Sequence, residues 1–271
     1  MSKLTTLQAA IGSIPDGSVI ALGGNTLHRA PCAAVHELIR QRKRGLELVK
    51  TAGSYDVDIL VGAGVASVVS AGYVGYENVF GLAPLYRRGV EEGRVEAREH
   101  TCYSVVAALR AAAQGVPFMP MAGLTGSDLP GARGFQTIAD PYTGADVFVI
   151  PALRPDVALV HVQEADEQGN ARIWGSVFED VLMAHAAVSV IITAERIVDG
   201  SAFEEQPELT SVSSLFVSAV VETPGGARPL SCHGLYGYDR DFLGASFAAS
   251  RDQDSLDRFL EEQLDLRPVT S

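Results

Sequence analysis

The stretch GSVIALGGNTLHRAP, residues 17–31, decides the fold. Val19, Ile20, Ala21 and Leu22 form an apolar run between turn signals, the pattern of a buried strand, and Gly23-Gly24 ends it. Pro31 suits the first turn of a helix, because its ring presets φ and its missing N–H is unneeded there. A strand, a bare glycine loop and a helix start make a place where backbone N–H groups can meet an anion or an oxyanion. A plain tight turn with two glycines is the competing reading. The spacing GGNTLH lacks the G-x-G-x-x-G pattern, so it is not a dinucleotide fingerprint.

Strand and helix alternate outward from this stretch. Leu4, Leu7, Ala10 and Ile11 recur at helical spacing before it. After Pro31, Ala34, Val35, Leu38 and Ile39 mark a second helix, which Arg40, Arg42, Lys43 and Arg44 close as a solvated, dipole-favoured end. Further strands are expected at 46–52, 65–71, 95–100, 147–151, 157–162, 188–194 and 216–221, and helices at 58–64, 84–93, 105–114, 178–187 and 254–264. The fold class is therefore α/β, with an open, largely parallel sheet covered by helices. A single domain is expected over 1–271, with a loop excursion over about 122–145 where Gly, Pro, Asp and Thr crowd and periodicity fades.

Composition narrows the function. The 271 residues are 47% hydrophobic and 20% charged, enough for an ample core. No apolar run reaches the roughly 18 residues of a membrane span and no charged-then-apolar leader opens the chain, so a cytoplasmic protein without a membrane partner is expected. A net charge of −12 argues against nucleic acid, whose phosphates need a positive field. Cys32, Cys102 and Cys232 stand far apart without a C-x-x-C pair, and read as small buried apolar residues rather than as a disulfide framework or zinc site. The six histidines lack metal-binding spacing, so no metal is expected.

Candidate site residues lie where strands end. Tyr73, Tyr76 and Glu77 follow the strand at 65–71, and loops at the carboxyl ends of parallel strands bind ligands in open sheets; covering an apolar edge is the alternative for the tyrosines. Glu99 stands where a strand gives way to a helix, as a catalytic carboxylate or as a simple cap. His161, in the run VALVHV, reads as satisfied by local hydrogen bonds, and Glu92 and Glu167 as solvated. No G-x-S-x-G elbow, phosphate loop or complete catalytic set emerges. The missing nucleophile is itself informative.

Read together, VIALGGNTLHRAP (19–31), GVPFMP (115–120), PDVALVHVQEADEQGNARIWG (155–175), EDVLMAHAA (179–187), TAERIV (193–198) and AVVETPGGARPLSCHGLYGYD (219–239) resemble the α subunits of class I CoA-transferases, especially those of the glutaconate type. The resemblance implies a sheet shared with sugar-phosphate isomerases of the NagB/RpiA type. It also implies a partner β subunit, often in an α2β2 assembly, which carries the nucleophilic glutamate and most contacts to coenzyme A. The thioester of coenzyme A would be a substrate, alongside a carboxylic acid of the glutaconate-like dicarboxylate or 3-oxoacid class, with no bound cofactor. By the same resemblance Gly23, Gly24 and Asn25 approach the acyl group, and Arg29 pairs with a remote substrate carboxylate. Tyr76 and Glu77 replace small hydroxyl residues of the glutaconate-type pocket, which argues for another substrate. Glu99 sits in the sequence VEARE, like a glutamate that does chemistry in related ring-opening hydrolases of steroid catabolism. A CoA-thioester ring hydrolase using Glu99, and a non-catalytic module on the same fold, therefore stand as alternatives.

Overall fold

A computed structural model describes residues 2–264. In chain order its strands are β1 (Val19–Leu22), β2 (Leu46–Gly53), β3 (Ala66–Val74), β4 (Glu96–Glu99), β5 (Phe118–Met121), β6 (Gln136–Ala139), β7 (Asp146–Pro151), β8 (Val157–Ala165), β9 (Ala171–Arg172), β10 (Ser189–Ile197) and β11 (Val217–Glu222). The main sheet runs β11-β10-β8-β1-β2-β3-β4 with every neighbour parallel, and short β9 adds antiparallel to β8. A second, antiparallel sheet has the order β5-β7-β6.

The apolar runs of the sequence are explained by burial on both sides of the main sheet. All of β8 is buried, and a strand covered on both faces needs no polar alternation. Side chains nevertheless divide by parity. Ile20, Leu22, Leu48 and Leu159 join one core, packed by the helices Cys32–Arg40, Tyr55–Gly62 and Gln253–Leu264 among others. Ala21, Val49, Ala158 and Val160 join the other, covered by the helices Cys102–Ala113 and Asp180–Ala186. The start of helix Cys102–Ala113 is fixed by a capping box, in which Thr101 accepts from the Ser104 N–H and Ser104 accepts from the Thr101 N–H. Gly72 of β3 lies so close to that start that a Cβ would strike the Cys102 backbone.

Chain direction across the sheet reverses between β1 and β8. From β1 the strands proceed outward to β4, and from β8 they proceed the other way to β11. A crevice therefore opens where the loops after β1 and β8 diverge, at the carboxyl ends of the strands.

Several expected boundaries shift. The excursion at 122–145 holds a helix, Leu129–Arg133, and strand β6, which returns through a turn in which the Asp140 N–H donates to Ala145 O. Every residue of β6 is exposed, so the strand has no buried face to mark it in the sequence. The small sheet is seated by Met121 and Ile150 on Ala107 and Ala108. Cys32 and Cys232 are buried as expected, but Cys102 is exposed at its helix start. No described helix is long and apolar enough to cross a membrane.

Tyr76 departs from its expected place at a ligand pocket. Strand β3 continues to Val74, the chain then doubles back so that the Tyr76 N–H donates to Gly81 O, and the ring enters the core edge-on to Phe80 and Phe247. Its hydroxyl donates to Asp58 Oδ2 at 3.0 Å, while the Tyr86 N–H donates to Oδ1 at 2.8 Å. Burial outweighs these two bonds and pushes the Asp58 carboxyl up to about 7. A carboxyl raised in the folded state binds its proton more tightly there than in the unfolded chain, so its contribution to stability is lost as pH climbs from about 4 to about 7. From about pH 5 to about pH 8 the wild-type unfolding free energy should fall by roughly 3 kcal/mol relative to an Asp58→Asn chain. Denaturant titrations would check this, and parallel pH curves would show Asp58 ionised in the fold.

Candidate functional site

The loop after β1 is held by hydrogen bonds to its own chain. The Gly23 N–H donates to Leu159 O at 2.9 Å, the Gly24 N–H to Asp180 Oδ1 at 2.6 Å, and the Asn25 N–H to His28 O at 2.9 Å. These donors are therefore occupied, and the expectation that they meet an oxyanion is corrected. The glycines are required for a different reason. A Cβ on Gly23 would collide with Asp180 Oδ1, and Gly24 has φ 72° with the backbone of 28–30 pressed against it. Asn25 alone keeps a free group, since its half-buried side-chain amide has no hydrogen-bond partner among the described residues.

Arg29 also has an internal role. It is 2% exposed, and its guanidinium lies 2.5 Å from Asp180 Oδ2 while donating to His161 O at 2.7 Å and Ser176 O at 3.0 Å. With these donors engaged it is not placed to receive a substrate carboxylate, contrary to the sequence expectation. A second buried pair stands on the other flank. Lys50 lies 2.9 Å from Asp56 and donates to Gly23 O, Asp56 accepts the Ser54 N–H at 2.8 Å, and Ser54 Oγ donates to Thr26 O at 2.6 Å. The loop is thus clamped from both sides by side chains withdrawn from water.

Backbone strain concentrates at the same place. Of the five non-glycine residues with positive φ among the described residues, Thr26 (42°) and Arg29 (52°) lie in this loop, and Glu77 (54°) and Phe178 (50°) contact it. Such conformations cost of order 1–3 kcal/mol each and gather at functional sites. Glu77 Oε1 accepts from Thr26 Oγ1 at 3.0 Å, and the Phe178 ring stacks on His28 with centroids 6.4 Å apart. A cleft of about 150 Å³ opens here, lined by His28, Arg29, Trp174, Ser176, Phe178 and His233. Gly175 and Gly234 shape its wall, the first against the His233 ring and the second against Trp174.

Beside the cleft, Thr51 at the end of β2 is a hub. Its hydroxyl donates to Glu179 Oε2 at 2.7 Å and its carbonyl accepts from Cys102 Sγ at 3.3 Å. Burial and the Glu179 carboxylate push the Cys102 thiol up, so it is held as a thiol rather than a nucleophilic thiolate. Trp174, Phe178, Glu179 and His233 were not singled out from the sequence, although the segments RIWG, EDVLMAHAA and CHGLYGYD contain or adjoin them.

The remaining candidates lie apart. Tyr73 is partly exposed and its hydroxyl accepts from the Glu77 N–H at 3.3 Å, which leaves Tyr73 and Glu77 together on the β3 side of the loop. Glu99 is exposed at the end of edge strand β4, three strands from β1, and its carboxylate has no partner among the described residues. His161, Glu195 and Cys232 approach within 4.8 Å of one another. His161 Nε2 lies 2.8 Å from Glu195 and Nδ1 lies 2.9 Å from Thr193 Oγ1, while Tyr236 and the Gly225 N–H donate to Glu195. Burial and Glu195 push the Cys232 thiol up to about 12. These bonds tie β8 and β10 to the segment 225–236 as a polar brace.

Asp180→Ala should lower the unfolding free energy by about 3–5 kcal/mol, because it strands the buried Arg29 and orphans the Gly24 N–H. Gly23→Ala should be severe in the wild type and much milder in the Asp180→Ala background, where the colliding oxygen is gone. Urea unfolding of the four chains checks both, and additive effects would disprove the clamp.

The model of the family described as "Coenzyme A transferase" matches residues 4–223. The chain is 34% identical over 280 residues to a glutaconate CoA-transferase subunit of Acidaminococcus fermentans, covering 97% of this chain and 88% of that one. It is 30% identical over 272 residues to the cholesterol ring-cleaving hydrolase IpdA subunit of Mycobacterium tuberculosis, covering 97% and 93%. An Archaeoglobus fulgidus protein is 36% identical over 256 residues, 94% of this chain but 57% of its own length. Among solved structures, glutaconate coenzyme A-transferase from Acidaminococcus fermentans superposes with TM-score 0.94 at 33% identity, covering 98% of this chain and 90% of that one. The decarboxylase AibA/AibB superposes with TM-score 0.89 at 35% identity, covering 98% and 100%. By its sequence from Leu4 onward and by its parallel sheet with the reversal at β1 and β8, this chain belongs to the coenzyme A transferase family.

Proposed function

We propose that the chain is the α subunit of a heteromeric CoA-transferase, moving CoA between an acyl-CoA and a carboxylic acid, with the nucleophilic glutamate supplied by a β-type partner. One observation carries this reading. The crevice at the β1/β8 reversal has braced and strained walls but no activated nucleophile among the described residues, because Cys102 is held as a thiol and Glu179 is tied to Thr51. Such a surface is one wall of a site that a second chain completes. Relatives that are themselves single subunits of CoA-transferases support the pairing.

The partner glutamate would attack the thioester carbonyl, breaking its C–S bond and releasing CoA thiolate as a mixed anhydride forms. The thiolate then attacks the glutamyl carbonyl of the anhydride, which expels the first carboxylate and leaves a glutamyl-CoA thioester. The second carboxylate reverses these steps. This chain's share is to orient the acyl group and keep water from the anhydride. An α2β2 assembly in the cytoplasm, with the CoA thioester as substrate rather than resident cofactor, completes the proposal.

A second reading rests on Glu99. Its carboxylate is exposed at a strand end without an internal partner, as a water-activating base would need to be. The similarity to the ring-cleaving hydrolase subunit points the same way.

The two readings separate in one preparation. The chain co-expressed with its β-type partner is incubated with an acyl-CoA, and the intact partner is weighed after borohydride or hydroxylamine treatment. A borohydride-reduced or hydroxylamine-converted partner glutamate is expected, and an unmodified partner would overturn the transferase reading. In the same complex, Glu99→Ala should leave CoA transfer within about tenfold of wild type. Water-dependent thioester consumption that Glu99→Ala abolishes, with binding retained, would establish the hydrolase instead.

A further inference from the structure

Two carboxylates brace the glycine loop and the neighbouring strand β2 without lining the cleft itself, and each has spent only half of its acceptor capacity. Glu77 takes the Thr26 hydroxyl on Oε1, and Glu179 takes the Thr51 hydroxyl on Oε2. The other oxygen of each has no partner among the described residues. Of the residues lining the cleft, Arg29 is the only permanent cation, and it is neutralised by Asp180 and shielded from solvent. Glu179 is the better placed of the two carboxylates. It stands between Phe178, a wall of the cleft, and Asp180, the clamp of the glycine loop, so its backbone is fixed at both neighbours. The Thr51 hydrogen bond then fixes its side chain.

A fixed, half-satisfied carboxylate sorts ligands by what they bring to it. A hydroxyl or amine would donate to the free Oε1. A second carboxylate would add like charge beside the half-buried Glu179, and the cleft lining that this chain contributes holds no unpaired Arg or Lys to offset it. The chain's net charge of −12 adds to the same field. We infer that Glu179 is a specificity-determining residue of the acyl site, which turns it away from acyl groups carrying a second carboxylate and toward those ending in a hydroxyl or amine. The inference rests on the CoA-transferase reading for its ligand class, an acyl group, and on the crevice geometry for its sign.

The test uses the co-expressed complex with acetyl-CoA as donor and four acceptors of similar length: glutarate, 4-hydroxybutyrate, 4-aminobutyrate and butyrate. Values of kcat/KM are compared with direct binding of the same free acids by calorimetry. The wild type should favour the hydroxy or amino acid over glutarate by at least about tenfold. Glu179→Gln keeps the shape and an acceptor for Thr51 but removes the charge. It should shrink that ratio by about tenfold or more, chiefly through KM, whereas a merely structural residue would lower all four acids together. Glu179→Asp, which keeps the charge, should move the ratio back toward wild type. A wild type that prefers glutarate, or a ratio unmoved in Glu179→Gln, overturns the inference while leaving the transferase reading intact. A complex that transfers no CoA overturns that reading instead, and the binding ratios then decide: a ratio that shifts with Glu179→Gln supports the inference, and an unshifted ratio or no binding of any acid overturns it.

Discussion

The carboxylate of Asp180 is the point on which the site depends. One oxygen receives the Gly24 N–H and the other faces the Arg29 guanidinium, whose remaining bonds go to the carbonyls of His161 and Ser176. A single anion therefore ties together the loop after β1, strand β8 and the turn before helix Asp180–Ala186, the elements that part at the reversal of the sheet. It also dictates sequence, since Gly23 must lack a Cβ for Asp180 to approach. Left-handed backbone at Thr26, Arg29 and Phe178 persists because the surroundings over-determine it.

Buried ion pairs are poor instruments of stability as such, because desolvation offsets much of their attraction. Two of them, Arg29–Asp180 and Lys50–Asp56, flank one short loop, with all four side chains essentially inaccessible. Their effect is to fix position: each has hydrogen bonds that run to backbone atoms of the loop or its neighbours. A wall fixed in this way loses little conformational freedom when a ligand or a second chain docks against it.

Much of the architecture was legible because it is written locally. The runs that became β1, β2 and β8 are contiguous and apolar, as doubly covered strands must be. Strand β6 was illegible for the converse reason, having no buried face. The side-chain roles were less readable, since they depend on partners distant in the chain. Tyr73 and Tyr76 lie in one seven-residue segment, yet the first stays partly exposed and the second is buried on Asp58, a distinction set by where the chain turns back at Gly81. Arg29 was recognisable as a loop cation but not as the partner of an aspartate 151 positions later. Glu179 sat inside a segment that signalled the family, while its contact with Thr51 exists only in three dimensions.

The occupied backbone of the glycine loop bears on how one fold serves several chemistries. If the N–H groups of 23–25 were an oxyanion site, the reaction would be built into the loop and relatives would share it. They are instead consumed by Leu159, Asp180 and His28. Proteins as similar in structure as glutaconate CoA-transferase and the decarboxylase AibA/AibB are named for different reactions. In a wall built like this one, such divergence has to come from side chains that project past the clamped loop and from groups brought by another chain. In this chain His28 and Phe178 line the cleft, and Asn25 and Glu179 keep polar side-chain atoms without a partner among the described residues, while the two ion pairs lie buried beneath.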